Sequence, residues 1–234
     1  MTENRDDPHN TTDRGEIELI SLEASVMEEN NRLALENRAL LASRGIHALN
    51  LLSSPGSGKT TLLVETLKAF KENLCCAVIE GDQQTKHDAE MIAETGTQVV
   101  QINTGQSCHL DAVQVARALE KLPLDGVRIL FIENVGNLIC PAGFDLGESE
   151  KVAIMSVTEG EEKPLKYPLA FHLASTLVIT KTDLLPLLRF DLERCRNNAL
   201  QVNPDLGIIE TSAYTKGGIE EWISYLRARV ATDA

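Results

Sequence analysis

The residues of this chain with the clearest chemical meaning form a glycine-rich loop at residues 53–60. The loop, SSPGSGKT, follows an apolar run and precedes a helical pattern, which is the strand, loop and helix order of a phosphate-binding P-loop. Glycines allow backbone N–H groups to converge on phosphate oxygens, and the N-terminus of the following helix adds partial positive charge. The predicted nucleotide-binding residues of this loop are Gly56, Ser57, Gly58, Lys59, Thr60 and Thr61.

Two side chains of the loop have separate expected roles. Lys59 would reach the β- and γ-phosphate oxygens and act in catalysis, while the Thr60 hydroxyl would ligate Mg²⁺. The usual motif begins with glycine, whereas this chain has Ser53. A plain Gly/Ser connection between a strand and a helix is the alternative, which the Gly-Lys-Thr sequence in this context disfavours.

Acidic residues end two of the predicted strands. Asp82 follows the run AVIEG, and Glu133 follows the run ILFI. A carboxylate at the end of a buried strand costs desolvation unless it meets a cation, and Mg²⁺ would supply one. We predict a Walker-B role for Glu133, and for Asp82 either a Mg²⁺ contact or orientation of the attacking water. The alternative for Asp82 is capping of the helical segment at residues 88–92.

The base is predicted from a second motif, TKTD at residues 180–183, which follows an apolar strand. The Asp183 carboxylate can accept two hydrogen bonds from guanine that adenine cannot offer, and the Lys181 stem would lie along the base. GTPases usually carry Asn where this chain has Thr180. Ser212 and Ala213, after another strand, resemble the last guanine motif. If residues 180–183 were an ordinary turn, a P-loop kinase with Asp82 as general base would be the alternative.

A third group of residues, two cysteines and a histidine, could bind a metal. Cys108 and His109 are adjacent, and Cys140 lies seven residues after Glu133. We expect Cys108 near a helix N-terminus, which would favour its thiolate and suit it to bind Zn²⁺, Ni²⁺ or Cu⁺. Because these residues come from separate segments and form no Cys-x-x-Cys motif, the residues alone favour buried inert thiols, with a metal site as the alternative.

The elements that would position these residues follow an α/β pattern. Near-continuous apolar runs predict a mostly parallel sheet with helices on both faces, as in P-loop NTPases. We expect a disordered tail at residues 1–14, an N-terminal helical segment at residues 15–44 and one GTPase domain at residues 45–234. The predicted strands cover residues 49–52, 77–80, 99–102, 128–132, 177–180 and 208–210.

Composition limits the class of protein. The 234 residues carry a net charge of −13, which argues against nucleic acid or an anionic membrane as the main partner. The N-terminus has no signal-peptide core, and five cysteines without a disulfide spacing fit a reducing compartment. A cytoplasmic location is therefore expected.

Beyond these motifs, residues 49–230 resemble the HypB-type hydrogenase nickel-incorporation GTPases, relatives of the urease accessory GTPases. The resemblance is carried by the segments SSPGSGKTT (53–61), EGDQQT (80–85), TGQSCHL (104–110), ENVGNLICP (133–141) and LKYP (165–168). A cobalamin-pathway chaperone of the same GTPase class is the alternative.

This resemblance implies a dimerising GTPase that delivers nickel to [NiFe] hydrogenase. In it, Cys108, His109 and Cys140 match a Ni²⁺ or Zn²⁺ site at the subunit interface, and Lys166 matches a position near the neighbouring subunit's nucleotide. The implied partners are GTP or GDP, a second copy, and maturation proteins such as a nickel-binding, zinc-containing accessory protein. No cysteine precedes Gly45, so we expect no separate N-terminal nickel store.

Overall fold

Strands and helices alternate along the chain, and the strands pair in parallel. The computed structural model describes residues 12–83 and 85–231. The strands are β1 (His47–Ser53), β2 (Cys76–Asp82), β3 (Gln98–Asn103), β4 (Ile129–Glu133), β5 (Glu150–Ser156), β6 (Ala174–Thr180) and β7 (Gly207–Glu210). The helices are α1 (Thr12–Ser43), α2 (Lys59–Phe70), α3 (His87–Ala93), α4 (Ala112–Leu119), α5 (Lys163–Lys166), α6 (Pro168–Leu173), α7 (Leu192–Val202) and α8 (Ile219–Ala231).

The sheet has the order β3-β2-β4-β1-β5-β6-β7, and every pairing is parallel. Successive side chains of a strand point to opposite faces, so both faces need apolar residues. In β1, Leu49 and Leu51 pack on one side, while Ala48 joins the cluster on the other. All carboxyl ends therefore meet at one edge, where a nucleotide binds in such folds.

One strand was absent from the sequence prediction. β5 lies between β1 and β6 in the middle of the sheet. Its first residues, Glu150 and Lys151, are charged, and only residues 152–155 form an apolar run. Such a short run behind two charges carries a weak strand signal, whereas the pairing on both sides is what stabilises the strand.

Helix α1 begins at Thr12, ahead of the predicted boundary at residue 15, and the rest of the predicted tail (residues 1–11) lies outside the described residues. The helix packs on α4. Buried Asn37 donates to the Ala112 carbonyl, and Asn30 accepts from the Ala112 N–H. Within the described part of the chain, no helix has the length and apolar character needed to cross a bilayer.

Candidate nucleotide and metal sites

The phosphate loop lies between the end of β1 and the start of α2, as predicted. Gly58 has φ +88°, a left-handed conformation that favours glycine and directs the loop into α2. The loop borders a cleft of about 590 Å³ at the carboxyl edge of the sheet. Besides the predicted residues 56–61, the cleft is lined by Glu80, Asp82 and Gly136. The position and shape of this cleft suit a polyphosphate.

Glu133 accepts hydrogen bonds from Lys59 and Thr60, the two residues of the loop with predicted roles. Lys59 Nζ donates to Glu133 Oε1 at 2.8 Å, and Thr60 Oγ1 donates to the same oxygen at 2.6 Å. Glu133 is fully buried, and its Oε2 accepts no hydrogen bond from the described residues. A buried carboxylate oxygen beside a threonine hydroxyl is the donor set that Mg²⁺ prefers, so the residues fit this ion.

Glu80 is a cleft residue that sequence analysis missed as a site. It is 1% exposed and pairs in register with Glu133 on the adjacent strand. Burial, followed by the neighbouring Glu133 carboxylate, raises the pKa of Glu80 to about 8. A sequence signal existed, because Glu80 interrupts an apolar strand two residues before Asp82 and so shares its face.

Asp82 ends β2 at the rim of the cleft. Its Oδ2 accepts from the Thr85 N–H at 2.7 Å and from the Thr85 hydroxyl at 2.8 Å. The N-cap of α3 is Lys86, which makes no side-chain capping bond. Asp82 therefore orders the loop after β2 and does not cap α3, contrary to the alternative that we considered.

A second cavity, of about 270 Å³, lies beside the phosphate loop and contains the predicted base motif. Asp183 lines it and accepts a hydrogen bond from Ser212 Oγ at 2.6 Å, while Ala213 forms part of the wall. Lys181 Nζ donates to the Gly56 carbonyl at 2.6 Å, so its stem lies between the two cavities. Residues 180–183 are thus built into a cavity wall and are not an ordinary solvated turn.

The structure explains why Thr180 can stand where GTPases usually carry Asn. The Thr180 hydroxyl donates to the Ser57 carbonyl, and thereby ties the base motif to the phosphate loop. Tyr214, which sequence analysis did not select, also lines the base cavity, and it is 87% exposed. An aromatic ring at this position can cover a flat base.

The sulfur residues form one cluster. The ligand atoms of Cys108, His109 and Cys140 all lie within 4.8 Å of one another, and Cys108 Sγ is 3.8 Å from His109 Nδ1. All three side chains are half-buried, which does not fit inert thiols of the core. The His109 ring also stacks at 4.0 Å on Phe144. Two thiols and an imidazole suit Ni²⁺ or Zn²⁺.

The expected effect of a helix terminus on Cys108 is wrong. Helix α4 begins at Ala112 and its N-cap is Asp111, so Cys108 lies in the preceding loop. A hydrogen bond with Cys140 raises the pKa of the Cys108 thiol, which is opposite to the expected direction. Burial lowers the pKa of His109, and this favours the neutral imidazole that binds metals.

The loop that carries Cys140 touches the phosphate loop. Asn137 forms an antiparallel bridge with Ser53, and a Cβ at Gly136 would lie 3.1 Å from the Pro55 backbone. A side chain at this position would push the two loops apart by a few tenths of an ångström, so glycine allows the close approach. The path from the cleft to Cys140 is therefore one short, packed segment.

Lys166 occupies a different place from the other predicted nucleotide residues. It is exposed at the end of α5, and it lines neither the phosphate cleft nor the base cavity of its own chain.

Known proteins resemble this chain in sequence and in structure. The family model of the CobW/HypB/UreG nucleotide-binding domain matches residues 47–210. The hydrogenase maturation factor HypB of Escherichia coli K12 is 56% identical over 211 residues, which are 90% of this chain and 73% of that protein. The crystal structure of HypB from Archaeoglobus fulgidus has a TM-score of 0.82 and 39% identity, and the match covers 87% of this chain and 99% of that one.

HypB from Helicobacter pylori, solved in complex with nickel, has a TM-score of 0.83 and 33% identity over 88% of this chain and 96% of that one. The family match, residues 47–210, contains the phosphate loop, the base motif at residues 180–183 and the Cys/His cluster. The predicted base contacts Ser212 and Ala213 lie just after it. The chain belongs to the HypB hydrogenase maturation factors, within the CobW/HypB/UreG family of nucleotide-binding proteins.

Proposed function

We propose that this chain is a GTP-hydrolysing nickel carrier that helps to insert nickel into [NiFe] hydrogenase. The observation that carries the proposal is a Cys/His cluster on loops that leave the phosphate cleft directly. Membership of the HypB maturation factors supports it, as does the nickel complex of the Helicobacter pylori relative.

Nucleotide binding would begin with an exchange of partners at Lys59 and Thr60, which both donate to Glu133 Oε1. Phosphate oxygens would take over Lys59 Nζ as a partner, because the triphosphate carries more charge than one carboxylate. Thr60 and Glu133 would hold Mg²⁺, which would supply positive charge to the phosphate oxygens, and Asp82 would either contact this ion or orient the attacking water. The exchange would leave Glu133 free to turn towards the cleft.

Hydrolysis itself requires an oriented water. Asp82 lies at the cleft rim, where its carboxylate can align the water for in-line attack and accept its proton. Lys59 would stabilise the charge that develops on the transferred phosphoryl group and on the leaving diphosphate. The products are GDP and phosphate.

Guanine would be selected in the second cavity. Ser212 holds one oxygen of Asp183 in place, so the carboxylate is oriented before the base arrives. The carboxylate would accept from the N1–H and the exocyclic amine of guanine, whereas adenine would leave this acceptor unpaired. Ala213 would contribute its backbone N–H, and Lys181 would cover the base with its stem.

Nickel would bind to Cys108, His109 and Cys140, and Zn²⁺ would bind to the same ligand types. Three ligands leave a coordination position open, which suits a metal that must be passed on to another protein. Because Gly136 and Asn137, on the same loop as Cys140, contact the phosphate loop, we propose that the state of the nucleotide alters the position of Cys140 and hence nickel affinity.

The remaining parts of the proposal concern assembly. We infer a homodimer in which the two Cys/His clusters meet at the interface and Lys166 of one subunit approaches the nucleotide of the other. Maturation proteins, including a nickel-binding, zinc-containing accessory protein, would exchange metal with this dimer. Residues 45–234 would act as the GTPase domain, with α1 attached to it through the asparagine contacts with Ala112.

The experiment for this function is Lys59→Ala, measured by GTP binding, GTP hydrolysis and hydrogenase activation in cells. We expect all three to be lost, because the phosphates lose their main cationic partner. Lys68→Ala is the matched control, since Lys68 lies on the same helix and pairs with Glu65 at the surface. Normal turnover in Lys59→Ala would contradict the proposed function.

A further inference from the structure

The dipeptide at residues 108–109 is flanked by two residues whose backbones bond to amide side chains: Gln83, which lines the phosphate cleft, and Asn134, which follows β4. Gln83 Nε2 donates to the Ser107 carbonyl at 3.1 Å, directly before the dipeptide. The Leu110 N–H, directly after it, donates to Asn134 Oδ1 at 3.1 Å. Each of the two metal ligands is therefore adjacent to a residue that the cleft strands hold.

Each amide residue directly follows a carboxylate for which we propose a role in binding Mg²⁺. Gln83 comes directly after Asp82 and lines the cleft itself. Asn134 comes directly after Glu133, the acceptor for the side chains of the phosphate loop. We call residues 107–110, which carry Cys108 and His109, the metal loop. If either carboxylate shifted on nucleotide binding, the next residue and its one hydrogen bond would carry the shift to the metal loop.

Asn134 is buried and held by several hydrogen bonds, which is the kind of contact that can transmit such a shift. Asn134 is fully buried, its Nδ2 donates to Asn50 Oδ1 at 3.1 Å, and its Oδ1 also accepts from the Val135 N–H. A Cβ at Gly81 would lie 2.8 Å from the Leu110 side chain, so the end of β2 packs directly on the metal loop. Close-packed contacts move together and do not absorb a displacement.

We propose that Gln83 and Asn134 are positioning residues that make nickel affinity at Cys108 and His109 depend on the bound nucleotide. This inference rests on the proposed function, and it adds to the contact made through Cys140 a second connection, which ends at Cys108 and His109. By linkage, these two amides also make nickel change nucleotide affinity by the same factor.

The test is a Ni²⁺ titration of the full chain with Mg–GDP and with a non-hydrolysable Mg–GTP analogue, which gives a ratio of two dissociation constants. We expect this ratio to differ from 1 in the unchanged chain. In Gln83→Ala and in Asn134→Ala its logarithm should fall by at least half. A purely structural role would weaken nickel binding equally with both nucleotides and would leave the ratio as it was.

Two further variants sharpen the test. Gln83→Glu keeps the length of the side chain but loses the Nε2 donor to the Ser107 carbonyl, so the logarithm of its ratio should fall as in Gln83→Ala. Asn103→Ala is the matched control and should keep the ratio of the unchanged chain. Asn103 Oδ1 accepts from the Gly105 N–H at 2.9 Å, so this hydrogen bond lies within the segment after β3 and does not connect it to the cleft. Circular dichroism checks that each variant folds. If Asn134→Ala does not fold, the result for Gln83→Ala decides the test, because Gln83 is only half-buried and its substitution disturbs the fold less.

The possible results separate this inference from the function on which it rests. A ratio of 1 in the unchanged chain would overturn nucleotide control of nickel and this inference with it. A ratio different from 1 that Gln83→Ala and Asn134→Ala both keep would overturn this inference alone.

Discussion

Glu80 and Glu133 are direct partners on the adjacent parallel strands β2 and β4, so two buried carboxylates lie side by side beneath the phosphate loop. Oε2 of each receives no hydrogen bond from the described part of the chain. Lys59 is bonded to Glu133, and it lowers the pKa of Glu80 less than burial and Glu133 raise it. Such a pair is costly for folding, and Mg²⁺ with a nucleotide would offset the cost.

Glu80→Gln should therefore stabilise the protein in the absence of nucleotide and Mg²⁺. The folded pKa of about 8 lies above the ordinary value of 4.5. Protonation thus favours the folded state, and the stability that Glu80 contributes is lost as the pH rises from about 4.5 to 8. We expect urea unfolding at pH 7–8 to show a gain of about 2–4 kcal/mol in the variant, and little gain near pH 4.5.

The control for this variant is Glu90→Gln, which neutralises an exposed carboxylate on α3 and should leave the unfolding free energy within about 0.5 kcal/mol. Adding Mg²⁺ and GDP should raise the Tm of Glu80→Gln less than that of the unchanged chain. If Glu80→Gln is destabilised under all conditions, Glu80 is a structural residue and the costly-pair interpretation is wrong.

Asp183→Asn should change the preferred base. An amide can donate where the carboxylate only accepts, so the variant should bind GTP more weakly and favour xanthosine triphosphate. Competition between nucleotides measures the preference, and Asp205→Asn, at an exposed loop position, is the control. Hydrolysis of ATP as well as GTP by the unchanged chain would contradict the guanine assignment.

Lys166→Ala should weaken dimerisation that depends on GTP. Sedimentation of the unchanged chain should show more dimer with a GTP analogue than with GDP, and Lys166→Ala should reduce this difference. Lys71→Ala, which removes an exposed lysine after α2, should respond as the unchanged chain does. The assembly proposal would fail if the chain were monomeric at every nucleotide and protein concentration.

The sequence predicted the parts of the fold and site that depend on local patterns. The P-loop, the base motif and six strands follow from glycine positions and apolar runs within a few residues. β5 could not be assigned in this way, because its stability comes from pairing with β1 and β6 on both sides. The same holds for Glu80, whose pKa is raised first by burial in the folded chain and then by Glu133, a residue far away in sequence.

The metal cluster shows the same limit more clearly. From the residues alone, inert thiols were the favoured interpretation, because nothing in the spacing places Cys108 beside Cys140. The fold brings them together, since the loops after β3 and β4 leave the same edge of the sheet. The direction of the pKa of Cys108 was wrong for a related reason: the decisive partner is Cys140, which is 32 residues away, and not the N-terminus of α4.

The most direct test of the account is the affinity for Ni²⁺ with GDP and with a non-hydrolysable GTP analogue, compared among Cys108→Ala, Cys140→Ala and the unchanged chain. We expect the unchanged chain to bind Ni²⁺ with different affinities in the two states. Each variant should lose at least ~10-fold, about 1.4 kcal/mol, while Cys75→Ala, at an exposed thiol, should not. Equal affinity in both nucleotide states, together with normal Ni²⁺ binding by both cysteine variants, would contradict the nickel-carrier account.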